Sequence, residues 1–261
     1  MIGWKAARNN HYPNFQQAMR NNPTRSPYDP DSETGYNVWI NESLDYNVVA
    51  DAMLEDYYGL DKWFKPEVNL KLNIKPIPGL NYQQVVGYEN RQWELHQYWP
   101  STHRSEIDNS RKGHAHLAFS KTENLTSEGY FSYVKDFKGG HNLNATAGYS
   151  YFEVNGENFG MDNYNFSVDG IKYWDIGQGS YLTDGKAGMS SGKSVTERLF
   201  SFFARANYSY QDKYMLSASI RHEGSSKFAA DNRWANFWSA TAGWRISNEE
   251  FMKDFDWLDD L

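Results

Sequence analysis

The stretch RLFSFFARANYSYQDKYMLSASIRHEGSSKFAADNRWANFWSATAGWRIS, residues 198–247, decides the fold. Phe200, Phe202, Ala204, Ala206, Tyr208 and Tyr210 share one parity; Ser201, Arg205, Asn207 and Ser209 share the other, with Phe203 as the exception. A period of two sustained this long places successive side chains on opposite faces of a strand. After Gln211-Asp212-Lys213 the pattern resumes, with Tyr214, Leu216, Ala218 and Ile220 set against Ser217, Ser219 and Arg221. Beyond a polar loop it returns once more, with Trp238, Ala240, Ala242, Trp244 and Ile246 set against Ser239, Thr241, Gly243 and Arg245.

The same grammar runs upstream. Val68, Leu70, Leu72 and Ile74 alternate with polar residues, then Pro76-Ile77-Pro78-Gly79 stops the strand, because two prolines and a glycine cannot continue a ladder. Leu80, Tyr82, Val86 and Tyr88 follow. Phe131 and Tyr133 lead through Lys138-Gly139-Gly140 into Leu143, Ala145, Ala147, Tyr149 and Tyr151. The expectation is an all-β antiparallel meander of about seven long strands, many reaching the ~9–11 residues that span a bilayer. Short turns (76–79, 138–140, 211–213) alternate with long polar loops (about 99–120, 156–195 and 222–235). That layout is the layout of an outer-membrane barrel, with a wet polar face and a lipid-facing apolar face. A soluble antiparallel β-sandwich alternates too. The barrel is the better account, because the polar face is rich in Asn, Ser, Arg and Lys, and Ala and Gly recur on the apolar one.

Composition narrows the function. The chain has 261 residues, 10 Trp, 19 Tyr and 15 Phe, yet only 39% apolar residues overall, which suits strands, aromatic belts or sugar-binding surfaces better than a helical core. A net charge of -7 disfavours nucleic acid, whose phosphates demand a basic face. The absence of cysteine excludes disulfide scaffolds, thiolate metal sites and cysteine nucleophiles. With a mean hydropathy of -0.80, no run of ~18 apolar residues reads as a transmembrane helix. The start, MIGWKAARNNHYPNFQQAM, reads as no signal peptide, for it has no apolar core. No nucleophile–base–acid set stands out, and GQGSYLTDGKAG (177–188) lacks the phosphate-loop order, so no enzyme is expected and no cofactor.

Candidate sites are few. Asp29, Asp31 and Glu33 alternate as oxygen ligands for calcium can, but the rest of such a loop is missing and a solvated turn is the expectation. His114 and His116 share a strand face; two imidazoles alone make no metal site, and none is expected. Tyr173 and Trp174 lie in the longest loop, where an aromatic can stack on a sugar ring or pack against a partner. Trp93 and Trp99, near a strand's outer end, are further ligand candidates, with interfacial anchoring as the alternative. Arg205, Arg221 and Arg245 occupy the polar parity of three consecutive strands and would line a barrel lumen.

Four blocks resemble a known family. They are NFQQAMRNNPTRSPYDPD (14–31), LKLNIKPIPGLNYQQVVGYE (70–89), KGGHNLNATAGYSY (138–151), and 201–253, with its RHEGSSKF loop and SATAGWRIS ending. Together they resemble the SusC/RagA-type TonB-dependent transporters of Bacteroidetes outer membranes over essentially the whole chain. The resemblance implies a large plugged β-barrel in the cell outer membrane that imports oligosaccharides or peptides. It implies a SusD-like lipoprotein over the extracellular mouth, energy from TonB, contact with membrane lipid, and plug carboxylates for the lumen arginines to meet. The family's signal peptide, plug, TonB box and closing strands are not read in 1–261, which stops at DFDWLDDL, so the expectation is a partial barrel: wall strands and extracellular loops. The competing expectation is a soluble carbohydrate-binding β-sandwich.

Overall fold

The computed structural model describes residues 1–8, 15–38 and 46–252; the DFDWLDDL ending lies outside them. Among the described residues are ten strands: β1 (Ile2–Arg8), β2 (Asp56–Phe64), β3 (Glu67–Asn73), β4 (Leu80–Trp99), β5 (His114–Phe137), β6 (His141–Tyr164), β7 (Gly188–Lys193), β8 (Glu197–Tyr210), β9 (Tyr214–Ser225) and β10 (Trp234–Trp244). Three short helices accompany them: α1 (Phe15–Arg20), α2 (Val48–Leu54) and α3 (Arg104–Asp108).

The strands form one sheet in the order β1-β2-β4-β5-β6-β8-β9-β10, with β3 also on β4 and β7 also on β6. This is the antiparallel meander the sequence predicts, and the single sheet corrects the β-sandwich alternative. The strand number corrects the expected seven. β1, β2 and β7 are additional to the expectation, and β5 and β6 extend into the near ends of the expected loops at 99–120 and 156–195. β2 and β3 occupy successive halves of β4, at Asn90–Tyr98 and Asn81–Gly87. Pro66 falls at their junction, where a residue without an N–H cannot continue a ladder. Its carbonyl still accepts from the Tyr88 N–H at 3.0 Å.

Two compact units share these strands. A loop unit comprises Met1–Phe64, Asn90–Thr122 and Gly156–Ser194; a hairpin unit comprises Lys65–Glu89, Glu123–Asn155 and Val195–Leu261. All three short turns belong to the hairpin unit. In the first, Gly79 sits at φ +92°, and a Cβ there would come within 2.1 Å of the Val134 carbonyl, so glycine alone fits. In the last, Gln211 and Asp212 both take φ +52°, the left-handed pair that a tight hairpin demands.

The core lies in the loop unit, where Tyr98, Ala115, Phe166 and Tyr173 bury one another. Among the described residues the hairpin unit has no comparable buried cluster. β3 and β10 are exposed along their whole lengths, although Leu70, Leu72, Phe237 and Trp238 are among their residues. Strands that apolar yet that exposed need a non-aqueous neighbour.

Candidate functional site

The hairpin unit offers two chemically opposite faces. Register sets the rows on its apolar face. Ala145, Ala206, Ala218 and Ala240 stand side by side, flanked by Ala147-Ala204-Ile220-Trp238 on one side and Leu143-Tyr208-Leu216-Ala242 on the other. An aromatic row closes each end. Near the turns it is His141-Tyr210-Tyr214-Trp244; at the far end it is Tyr151-Phe200-Gly224-Trp234, with the Trp234 ring lying over the glycine. The rows are ten residues apart on β8, β9 and β10, from Phe200 to Tyr210, Tyr214 to Gly224 and Trp234 to Trp244. Ten residues at ~3.3 Å make about 33 Å along a strand, and a tilt of ~40° reduces that to about 25 Å, the height of an outer-membrane protein's apolar band.

Charge resumes where the band stops. One step beyond Tyr151 and Phe200, Glu153 faces Arg198, with Nε 2.7 Å from the carboxylate. At the turn end Glu249 accepts from Lys213 Nζ at 2.8 Å, Tyr214 Oη at 2.7 Å and Trp244 Nε1 at 3.1 Å. The tyrosine and tryptophan tips thus point out of the band to charged partners while their rings stay within it, as interfacial aromatics do.

The opposite face is polar. Its rows include Asn144-Asn207-Ser217-Thr241 and Thr146-Arg205-Ser219-Ser239, which place Arg205 on this face, and a further row sets Arg221 between Phe203 and Phe237. Arg221 shares that face but takes its partners from the wall itself, Glu223 at 2.6 Å and Ser150 Oγ at 3.3 Å. Arg245 falls just past β10, its N–H donating to the Lys213 carbonyl at 2.7 Å.

In the loop unit the segment 165–187 is pinned rather than loose. Asp169 accepts from Tyr98 Oη at 2.7 Å, the Ser101 N–H at 2.9 Å and Ser101 Oγ at 2.6 Å. Asn163 donates to the carbonyls of Ile176 and Gly179 at 2.7 and 2.8 Å. Lys172 pairs with Asp56. Burial, then the Asp169 carboxylate, hold the Tyr98 phenol well above its ordinary range. The four aromatic candidates part company here. Tyr173 is 3% exposed and packs in the core beside His96, so its ring is unavailable to a ligand; this corrects its assignment as a loop contact. Trp174 beside it is 73% exposed.

The other face of the loop unit carries Trp93 and Trp99. Trp99 stacks on His114 at 4.6 Å, His114 on Tyr164 at 4.2 Å, and the Arg111 guanidinium lies 4.4 Å over Tyr164. Arg111 grips the fully buried Glu106 at 2.8 and 2.9 Å. His114 Nε2 and His116 Nδ1 both meet Asp162 Oδ1, at 2.8 and 2.9 Å, which is what their shared strand face achieves. Burial holds the His114 imidazole below its ordinary value against the pull of Asp162 and Glu106. Asp29, the first of the calcium-like acids, turns inward to accept from the Asp31 N–H at 3.0 Å. Among the described residues no group of three or more His, Asp or Glu is placed to hold a metal ion.

Trp93 stands directly across from Asp61, and Arg91 from Trp63, in a checkerboard of two indoles and one ion pair. Arg91 Nε and Nη2 grip the Asp61 carboxylate at 2.9 and 2.6 Å. A cleft of about 310 Å3 opens there, lined by Arg91, Trp93, Ser120 and Thr122. No sequence signal marked it, because Asp61 and Arg91 are 30 residues apart and meet only through the β2–β4 register.

Comparison with known proteins supplies the context. No family model matches the chain. It is 30% identical over 194 residues to TonB-dependent receptor P39 of Formosa agariphila, covering 72% of this chain and 17% of that protein. It is 40% identical over 78 residues to TonB-dependent receptor SusC of Bacteroides thetaiotaomicron, covering 30% of this chain and 8% of that one. The chain therefore spans less than a quarter of the curated relatives it matches. In three dimensions 89% of it superposes on 25% of a chain in the RagAB peptide transporter, with a TM-score of 0.74 at 19% identity.

Proposed function

The chain is of the SusC/RagA type of TonB-dependent outer-membrane receptor, matching a stretch of that family in sequence and in fold, and on this premise we propose that it forms barrel wall and extracellular loops of an active nutrient importer. The observation that carries this reading is the 25-Å band between two aromatic rows, apolar except for the hydrogen-bonded pair His222 and Asn236, and backed by a largely polar face. The apolar face meets lipid. The polar face, with Arg205, Arg221 and Arg245, meets the water-filled or plugged interior, where these cations orient polar solute or carboxylates of a plug.

In the complete importer the solute is an oligosaccharide or a peptide, TonB supplies energy, and a SusD-like lipoprotein covers the mouth. Support for the last contact comes from Trp174. A large exposed aromatic on a segment fixed by Asp169 and Asn163 has little entropy left to lose on binding, which is the character of an interface anchor. Trp93 and Trp99 serve the solute path.

The natural absence of cysteine gives a clean test. Single cysteines replace Ala218 and Ser219, neighbours on opposite faces, in protein embedded in outer membranes. Ala218→Cys is expected to react with a lipid-dissolved maleimide and resist a charged one, and Ser219→Cys the reverse. Equal reaction of both with the charged reagent would remove the lipid-facing wall from the proposal.

A further inference from the structure

We propose that the cleft at Trp93 is a saccharide subsite, with one pyranose ring stacked on the Trp93 indole and its hydroxyls held by the Arg91–Asp61 pair and the Ser120 and Thr122 hydroxyls. The inference rests on the importer reading and names the solute class that this part of the wall receives. Three observations carry it. The first is the combination of groups. An indole beside a bidentate guanidinium–carboxylate pair presents a flat apolar surface and, at its edge, fixed donors and acceptors. A sugar ring has that same composition, apolar on its C–H face and polar around its rim. The pair is partly open to solvent, with Arg91 at 59% and Asp61 at 20% side-chain exposure, so a ligand's hydroxyls can reach its rim.

The second observation is size. A cleft of about 310 Å3 sits at the lower end of small-molecule sites and accommodates a ring rather than a folded segment. The third is topology. Extended peptides are commonly bound by adding a strand to a free sheet edge. The cleft lies on β4 and β5, and β4 is paired by β2 on one side and β5 on the other, so no backbone edge is open beside Trp93. Recognition here must go through side chains. Three of the four lining side chains, Arg91, Ser120 and Thr122, bear guanidinium or hydroxyl groups, the fourth is the Trp93 indole, and Asp61 joins through its pair with Arg91.

The test uses the purified protein in detergent, with binding read by calorimetry. The probes are six-residue α-1,4-glucan, β-1,3-glucan and β-1,4-xylan oligosaccharides, with mixed casein peptides as the contrasting class. At least one oligosaccharide is expected to bind. Trp93→Ala is expected to weaken it roughly 10- to 30-fold, Trp93→Tyr to restore most of the loss, and Arg91→Ala to weaken it about as much as Trp93→Ala. Unchanged strand circular dichroism and heat-modifiable gel migration certify that the variants are folded. Peptide binding that depends on Trp93 would overturn the saccharide assignment while leaving the importer standing. Oligosaccharide binding indifferent to Trp93, or no binding of any probe, would overturn the subsite. Failure of the wild-type chain to partition into detergent or membrane would instead strike the wall reading.

Discussion

Glu153 and Arg198 face each other across β6 and β8, one step beyond the pair in which Tyr151 faces Phe200. Within two residues the same strand face passes from aromatic to ionic. Tyr151 Oη donates to Glu153 at 2.5 Å, tying the last apolar row to the first charged one. A boundary that sharp is what a change of solvent imposes, because a charge one row deeper would lose its water.

The band therefore predicts an asymmetric cost for charge. Ala218→Arg, in the central alanine row, is expected to destabilise the folded protein in lipid by about 2–4 kcal/mol, and Ser219→Arg, on the adjacent polar face, by close to zero. Urea unfolding in lipid vesicles, followed by tryptophan emission, measures both. Equal costs would show that the two faces meet the same solvent.

The pinned loop predicts a local effect. Asp169→Ala leaves Tyr98 Oη and Ser101 without their acceptor, at about 1–3 kcal/mol for the buried phenol. Faster amide exchange and proteolysis are expected within 165–187, with β8, β9 and β10 unchanged. Global unfolding in place of local loosening would mean that the segment and the wall form one cooperative unit.

Acid should weaken the stacked histidine. Its imidazole is held below 6.5 by burial, while in the unfolded chain it titrates at its ordinary value. Below about pH 6.5 the unfolded chain gains a proton that the folded one resists, so stability falls as pH drops from there toward the lowered folded value. Thermal melts from pH 7.5 to 5 are expected to show this loss, and His114→Gln, whose amide can still reach Asp162, to reduce it. A melt as acid-sensitive in the glutamine variant would assign the loss to other groups.

At the turn end Glu249 is expected to stay ionised under acid. Its three donors, Lys213 first and then Tyr214 and Trp244, hold its carboxyl down to about 2. Carboxyl-carbon NMR should show little titration above pH 3, and Lys213→Met should move the midpoint upward. A midpoint near the ordinary 4.5 would mean that the three hydrogen bonds do not persist in solution.

The hairpin unit was legible because its two faces meet different solvents, so period two is written plainly from Phe200 to Trp244. The loop unit was not, since its strands lack that contrast between faces. DYYGLDKWF in β2 and GMSSGK in β7 mix polar and apolar residues without alternating. Tyr173 shows the limit from the other direction. Its neighbours Tyr98 and Ala115 come from distant parts of the chain, so a residue that reads as a loop-tip aromatic is core. Trp93 was found as a residue but not as a site, because its ion-pair neighbours are supplied by register alone.

The ten residues separating Tyr210 from Phe200 act as a ruler cut to membrane thickness, and they constrain how the gene can change. A single-residue insertion between them would turn every later side chain of β8 to the wrong face, and a two-residue insertion would lift the Phe200 row about 6–7 Å out of line with Tyr151 and Trp234. Divergence inside the band must proceed by replacement at fixed length, while indels can accumulate only in the β9–β10 connection and its like.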